Sequence, residues 1–325
     1  MTLGLASRAA PWMVLLLAGT ALPQGGAPGT PQWPQFRGPK RDGLSSDTGL
    51  LKQWPAGGPP LLWDAKGAGR GYASVALSEG RLFTMGDGPS TAEDKDEYVI
   101  CFNEVDGKPL WRTKLGPAWN SGKDDWQGSR STPTVDGDLL FALSPHGVLV
   151  CLEAATGRER WRRSLPRDFA GRKGDSWGYS ESPLVDGDRL VCTPGGPRST
   201  MVCLDKKTGQ TIWTASVPED RGAGHASIVI TEVGSVRVYV TTTAGGALGV
   251  RASDGKVLWT YPIDRTTAVI PTPIVRENQV FFTAGYGRGG ALLRLVPTGD
   301  GGVKVEEVYG LKPDLTNKHG GVVLV

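Results

Sequence analysis

Short apolar runs of strand length alternate with polar, glycine-bearing turns along most of this chain. Leu139–Leu143, Val148–Leu152, Arg189–Thr193 and Met201–Leu204 are such runs, and each is long enough for one strand. Asp136-Gly137-Asp138 and Asp186-Gly187-Asp188 separate neighbouring runs with hairpin chemistry, because glycine takes a positive φ without steric cost. The pattern then repeats. CFNEVDGKPLW ends at Trp111, CLEAATGRERW at Trp161, CLDKKTGQTIW at Trp213 and GVRASDGKVLW at Trp259. A degenerate fifth copy closes near Tyr309. A strand-rich repeat of roughly 50 residues predicts an all-β propeller of four-stranded blades.

Five units follow, over 71–116, 129–166, 180–218, 224–263 and 270–311, and each opens with a small polar residue before its first strand. Those residues are Ser74, Thr132, Ser182, Ser227 and Thr272. Leu61-Leu62-Trp63 reads as the final strand of a further blade, and residues 319–325 as the first strand of a sixth unit. A propeller hides its edge strands by closing its ring. One inner and one outer strand leave that blade without its middle, so the expectation is a chain truncated at its C-terminus relative to a closed propeller. The propeller domain is assigned to 61–325.

The first residues have a different character. Arg8 precedes the apolar run Trp12 to Ala18, followed by small residues and Pro23, which reads as a secretory signal over 1–23. Residues 24–60 are then a Gly/Pro-rich leader and a turn-rich segment that wraps the outside or one face of the propeller. The expected location is the periplasm or the cell exterior, with no membrane span in the mature chain. A net charge of +3, from 36 basic and 33 acidic residues with no long basic run, makes nucleic acid an unfavoured partner.

The repeats, together with WPQFRGPKRDGLS from Trp33, resemble secreted bacterial proteins with pyrroloquinoline-quinone (PQQ)-like propeller repeats. That repeat type is shared by the propeller lipoprotein of the outer-membrane β-barrel assembly machinery and by quinoprotein alcohol dehydrogenases. The resemblance implies that Trp111, Trp161, Trp213 and Trp259 are docking residues packed between adjacent blades. In the dehydrogenases it also implies a quinone and calcium at the propeller centre, held by carboxylates and amides, and in many members a disulfide between adjacent cysteines. No two cysteines are adjacent here. Fold does not carry function across such a family.

Candidate chemistry is sparse. Cys101, Cys151 and Cys203 hold the first position of the repeat motif and read as small packing residues. Cys192 lies on the preceding strand, where a disulfide with Cys203 across the hairpin is open. No HExxH, CxxC or GxSxG occurs, so no catalytic residue and no metal ligand set is assigned. The Gly-rich stretch 285–290 is a hairpin turn.

The repeats do vary at one position. Two residues before each small polar residue stand Tyr72, Arg130, Ser180, His225 and Ile270, and such positions converge on one mouth of a propeller axis. Glu181 follows Ser180, and His319 opens the sixth unit. Arg130 and His225 are expected to grip an anionic or polar group, with Tyr72 and Trp177 stacking on it. Two Trp-bearing insertions, 116–128 and 167–178, flank this mouth as ligand surfaces or as lids packed on a neighbouring blade. The expected function is a non-catalytic binding or scaffold module that offers one rim to a protein, glycan or small ligand, with no cofactor. The alternative is a PQQ- and calcium-dependent dehydrogenase of alcohols or sugars.

Overall fold

The computed structural model describes residues 32–88, 96–120 and 127–325. The expected signal sequence lies outside the described residues, as does part of the first Trp-bearing insertion. Among the described residues the chain forms five four-stranded antiparallel sheets, one after another, over 76–117, 134–164, 184–215, 229–262 and 274–312. Each sheet takes its strands in chain order, so every sheet is a simple meander. This is the β-propeller that the repeat predicts. The only helices among the described residues are single turns at Leu165–Phe169 and Pro313–Leu315, and none is long and apolar enough to cross a membrane.

The ladder explains the repeat motif residue by residue. Cys101, Cys151, Cys203 and Gly249 pair directly across from Trp111, Trp161, Trp213 and Trp259, and the register slips by one just after each pair. A small residue is needed because the indole folds over it. A Cβ on Gly249 would stand 2.2 Å from the Trp259 ring nitrogen. Each Trp then roofs the Gly turn of the next sheet. Trp111 Nε1 donates to Ala154 O at 3.1 Å, Trp161 Nε1 to Lys206 O at 3.0 Å and Trp213 Nε1 to Ala252 O at 3.1 Å. Gly157, Gly209 and Gly255 lie under those rings with φ of 71°, 68° and 78°. The left-handed backbone and the ring overhead both require glycine there. Trp259 leaves the series: its indole N–H is buried without a partner, because the outer turn of the fifth sheet, closed by Thr298 N to Gly302 O, is built differently.

Three expectations are corrected. Residues 61–63 form no strand, and Leu61 and Leu62 are 81% and 86% exposed. Among the described residues they pair with no strand, while Trp63 donates to Glu104 O at 2.9 Å and lies over Gly107. Residues 319–325 likewise form no strand. Cys192 and Cys203 are both free. Cys192 pairs with Val202 and Cys203 with Val191, so the two thiols sit one residue out of step and point to opposite faces of their sheet. All four cysteines are buried. Burial pushes the thiols of Cys101, Cys151 and Cys203 up to about 12 and that of Cys192 well above its usual value, which makes them packing groups.

The segment from Trp33 crosses one face of the inner strands. Trp33 bridges Leu77 of the first sheet, and Pro34 O accepts from Val135 N of the second at 2.8 Å. Arg41 goes deepest. Its guanidinium donates to Gln35 Oε1 at 2.8 Å, to Ser182 O at 2.9 Å, to Pro183 O at 2.5 Å and to Ile228 O at 2.8 Å. Burial drives its pKa down to about 10, partly opposed by the nearby Glu181 carboxylate. A guanidinium at such a depth persists because its fork is filled with acceptors.

Candidate functional site

The small polar residues that open the units form a belt of hydrogen bonds around the axis. Ser74 N donates to Thr132 Oγ1 at 3.2 Å, Thr132 N to Ser182 Oγ at 2.9 Å, Ser182 N to Ser227 Oγ at 3.0 Å and Ser227 N to Thr272 Oγ1 at 3.1 Å. The innermost backbone of each of the first four sheets is thus tied to the next sheet's hydroxyl. This repeated belt fixes where the residues two positions earlier emerge.

Those residues line one cavity of about 440 Å³. Tyr72, Arg130, Trp177, Ser180, His225, Ile270 and His319 all contribute to its wall, joined by Phe36, Tyr286 and Lys318. The volume is within the range of small-molecule sites. Arg130 lies over the Tyr72 ring, 5.8 Å from its centroid, and Lys318 over the Tyr286 ring at 4.7 Å. A mixed wall of cations and aromatic faces suits a group that is both anionic and flat.

Glu181 is absent from that wall. It follows Ser180 on extended backbone, so its side chain points the other way and is 2% exposed. One carboxylate oxygen accepts from Thr193 N at 2.7 Å, and the other is buried without a partner. Burial raises its pKa to about 7, against the opposing pull of the Thr193 amide and Arg41.

His225 is more engaged than the sequence suggested. Its Nδ1 lies 2.6 Å from Ser180 Oγ and its Nε2 2.8 Å from Asp175 Oδ2. The side chains of His225 and Asp175 are 6% and 10% exposed, so this chain is sheltered from bulk water. Burial lowers the His225 pKa, helped by Lys173 and opposed by Asp175. Burial also works against ionisation of Asp175, but the His225 hydrogen bond and charge, with Lys173 and the Trp177 amide, outweigh it and hold the carboxyl below its usual range. Lys173 is buried, its pKa brought down to about 8 by desolvation; it donates to Gly224 O and lies 5.6 Å from the Tyr179 ring centroid.

The second insertion, 167–178, supplies Asp175, Lys173 and Trp177, and it packs on the fourth sheet's approach strand. Lys173 bridges Ala223, and Gly174 N donates to Ala223 O at 3.0 Å. Sequence reasoning singled out this loop and Trp177 but not Asp175 or Lys173. Their only prior signal was a charged run inside an irregular connection.

A family model described as outer membrane protein assembly factor BamB matches residues 95–324. The chain belongs to that family. Its propeller is similar to solved structures at low identity. Quinohemoprotein alcohol dehydrogenase from Comamonas testosteroni is 13% identical with a TM-score of 0.52, over 86% of this chain and 49% of that one. A europium-containing methanol dehydrogenase is 14% identical with a TM-score of 0.50, over 76% and 53%. BamB from Moraxella catarrhalis is 14% identical with a TM-score of 0.49, over 77% and 68%. The chain spans about half the length of those two dehydrogenases. Such likeness shows the fold alone. Among curated proteins, none matches the chain.

Proposed function

We propose that this BamB-family chain is an exported binding propeller that seats an anionic, aromatic-bearing segment of a partner protein in the cavity at one rim. The observation that carries this reading is the convergence of the variable column. Tyr72, Arg130 and His225, which share nothing but their place in the repeat, line one cavity with Trp177, Tyr286 and Lys318. A carboxylate beside an aromatic ring would find Arg130 and Lys318 for its charge and three aromatic faces for its ring. Export rests on the reading of residues 1–23, and a protein partner on the family to which the chain belongs.

The quinone-dependent reading has weaker support. Calcium takes six or more oxygen ligands. Among the described residues no group of three His, Cys, Asp or Glu side chains could hold a metal ion. Glu181, the carboxylate next to the variable column, is turned from the cavity toward Thr193 and Arg41. The residues present do not fit such a centre.

Calorimetric titration with short peptides ending in Phe with a free carboxylate tests the binding reading. Saturable binding is expected, lost in Arg130→Ala with an unchanged melting temperature. Equal binding by Arg130→Ala, or by a C-terminally amidated peptide, would sink it.

A further inference from the structure

The Asp175–His225–Ser180 chain has a direction. Asp175 is held ionised and can only accept, so the Nε2 facing it at 2.8 Å carries the proton. His225 is held neutral by burial, so its Nδ1 bears the lone pair and accepts from the Ser180 hydroxyl at 2.6 Å. Ser180 differs from the belt hydroxyls nearby. The oxygens of Ser182 and Ser227 each accept a backbone N–H and serve the scaffold. Ser180 Oγ is bonded to the imidazole and lines the cavity. An ionised carboxylate, a neutral imidazole and a hydroxyl at an accessible wall are the three parts of an activated nucleophile. The ring offers Nδ1 to the hydroxyl and Nε2 to the carboxylate. This reverses the serine-protease arrangement and leaves the proton path intact.

We propose that Ser180 is the nucleophile of an acyl-transfer site in this cavity, with His225 as its general base, acting on small carboxylic esters. Ser180 Oγ attacks the ester carbonyl carbon while its proton passes to His225 Nδ1, and Asp175 stabilises the resulting imidazolium. The carbonyl oxygen takes up the negative charge, and Arg130, at the equivalent position of the neighbouring sheet, supplies the positive charge for it. Collapse breaks the ester C–O bond, and the leaving alkoxide takes the proton back from Nδ1. Water, deprotonated by the same nitrogen, then attacks the acyl-serine, releases the acid and restores Ser180. The cavity therefore does more than hold a ligand, which departs from the non-catalytic expectation. It uses the same walls as the binding reading but does not depend on which partner docks there.

The test treats the full chain with a fluorophosphonate probe and, separately, with p-nitrophenyl acetate. Expected are one adduct per chain, mapped to Ser180, and p-nitrophenolate release that falls ~100-fold or more in Ser180→Ala and in His225→Gln. Asp175→Asn should lower both rates while keeping the melting temperature. The wild-type rate should rise with pH to a plateau, with a midpoint below 6.5. Burial and the Lys173 and Arg130 charges around His225 favour its neutral form more than Asp175 favours the charged one. No adduct at saturating probe, an adduct elsewhere, or labelling of Ser180 undiminished in a folded His225→Gln would overturn the proposal. Peptide titration of Ser180→Ala separates the two readings: binding retained with labelling lost supports a nucleophile in an intact site, whereas labelling unchanged in Ser180→Ala refutes it whatever the peptide does.

Discussion

Two rings of residues circle the same axis only two positions apart in each repeat. The inner belt, Ser74, Thr132, Ser182, Ser227 and Thr272, is chemically uniform, and its members bond to one another. The ring before it, Tyr72, Arg130, Ser180, His225 and Ile270, holds an aromatic, a cation, a hydroxyl, a base and an aliphatic. The belt does the same task four times, with Thr132, Ser182, Ser227 and Thr272 each offering a hydroxyl to a neighbour's backbone, so losing one of these hydroxyls costs a hydrogen bond. The ring before it faces a cavity and carries no such duty. Repetition marks what the fold needs, and its interruption marks where chemistry can be placed.

Substitutions can break that contrast. The largest effect should come from below both rings. Arg41→Leu leaves the carbonyls of Ser182, Pro183 and Ile228 without their donor and Glu181 without its counter-charge, and should cost about 4 kcal/mol, read by chemical denaturation. Next comes Glu181→Gln. The wild-type carboxyl is raised to about 7 in the fold from 4.5, so the folded state holds its proton longer than the unfolded chain does. Its contribution is present below about pH 4.5 and is lost as the pH climbs to about 7, a change on the order of 3 kcal/mol. The Gln variant should lack that slope, and parallel stability–pH curves for the two proteins would refute the assignment. Within the belt, Ser182→Ala strands Thr132 N and should cost about 2 kcal/mol of unfolding free energy. In the outer ring, Tyr72→Ala should shift stability by less than about 0.5 kcal/mol while weakening peptide binding, since the residue is 55% exposed. A Tyr72 variant as destabilised as the Ser182 one would erase the distinction between the rings.

The fold was legible because its signals repeat. A Trp opposite a small residue recurs four times, and in three of them the ring covers a glycine of the next sheet that no other residue can replace. The variable column was legible for the complementary reason, since a fixed offset from the belt brings its members to one mouth. Asp175 was hidden because its loop belongs to no repeat, and only the pairing of Lys173 with Ala223 brings it to His225. Arg41 was hidden by distance, as its acceptors lie far along the chain and bond through backbone oxygens that leave no mark in sequence. The Cys192–Cys203 disulfide failed on a single step of register, which hairpin composition does not encode. The turn aspartates show a similar limit. Asp186, read only as part of a hairpin turn, takes two hydrogen bonds from Arg237, at 2.7 and 2.8 Å, and one from Tyr239 of the next sheet at 2.7 Å, so it serves as an inter-blade clasp.

The strand-crossing segment that carries Phe36 and Arg41 joins the site to the frame that holds it. Arg41 is clamped between the third and fourth sheets while Phe36, five residues earlier, forms part of the cavity wall. The wall is thereby tethered to the joint between two blades, and whatever displaces Phe36 pulls on that joint.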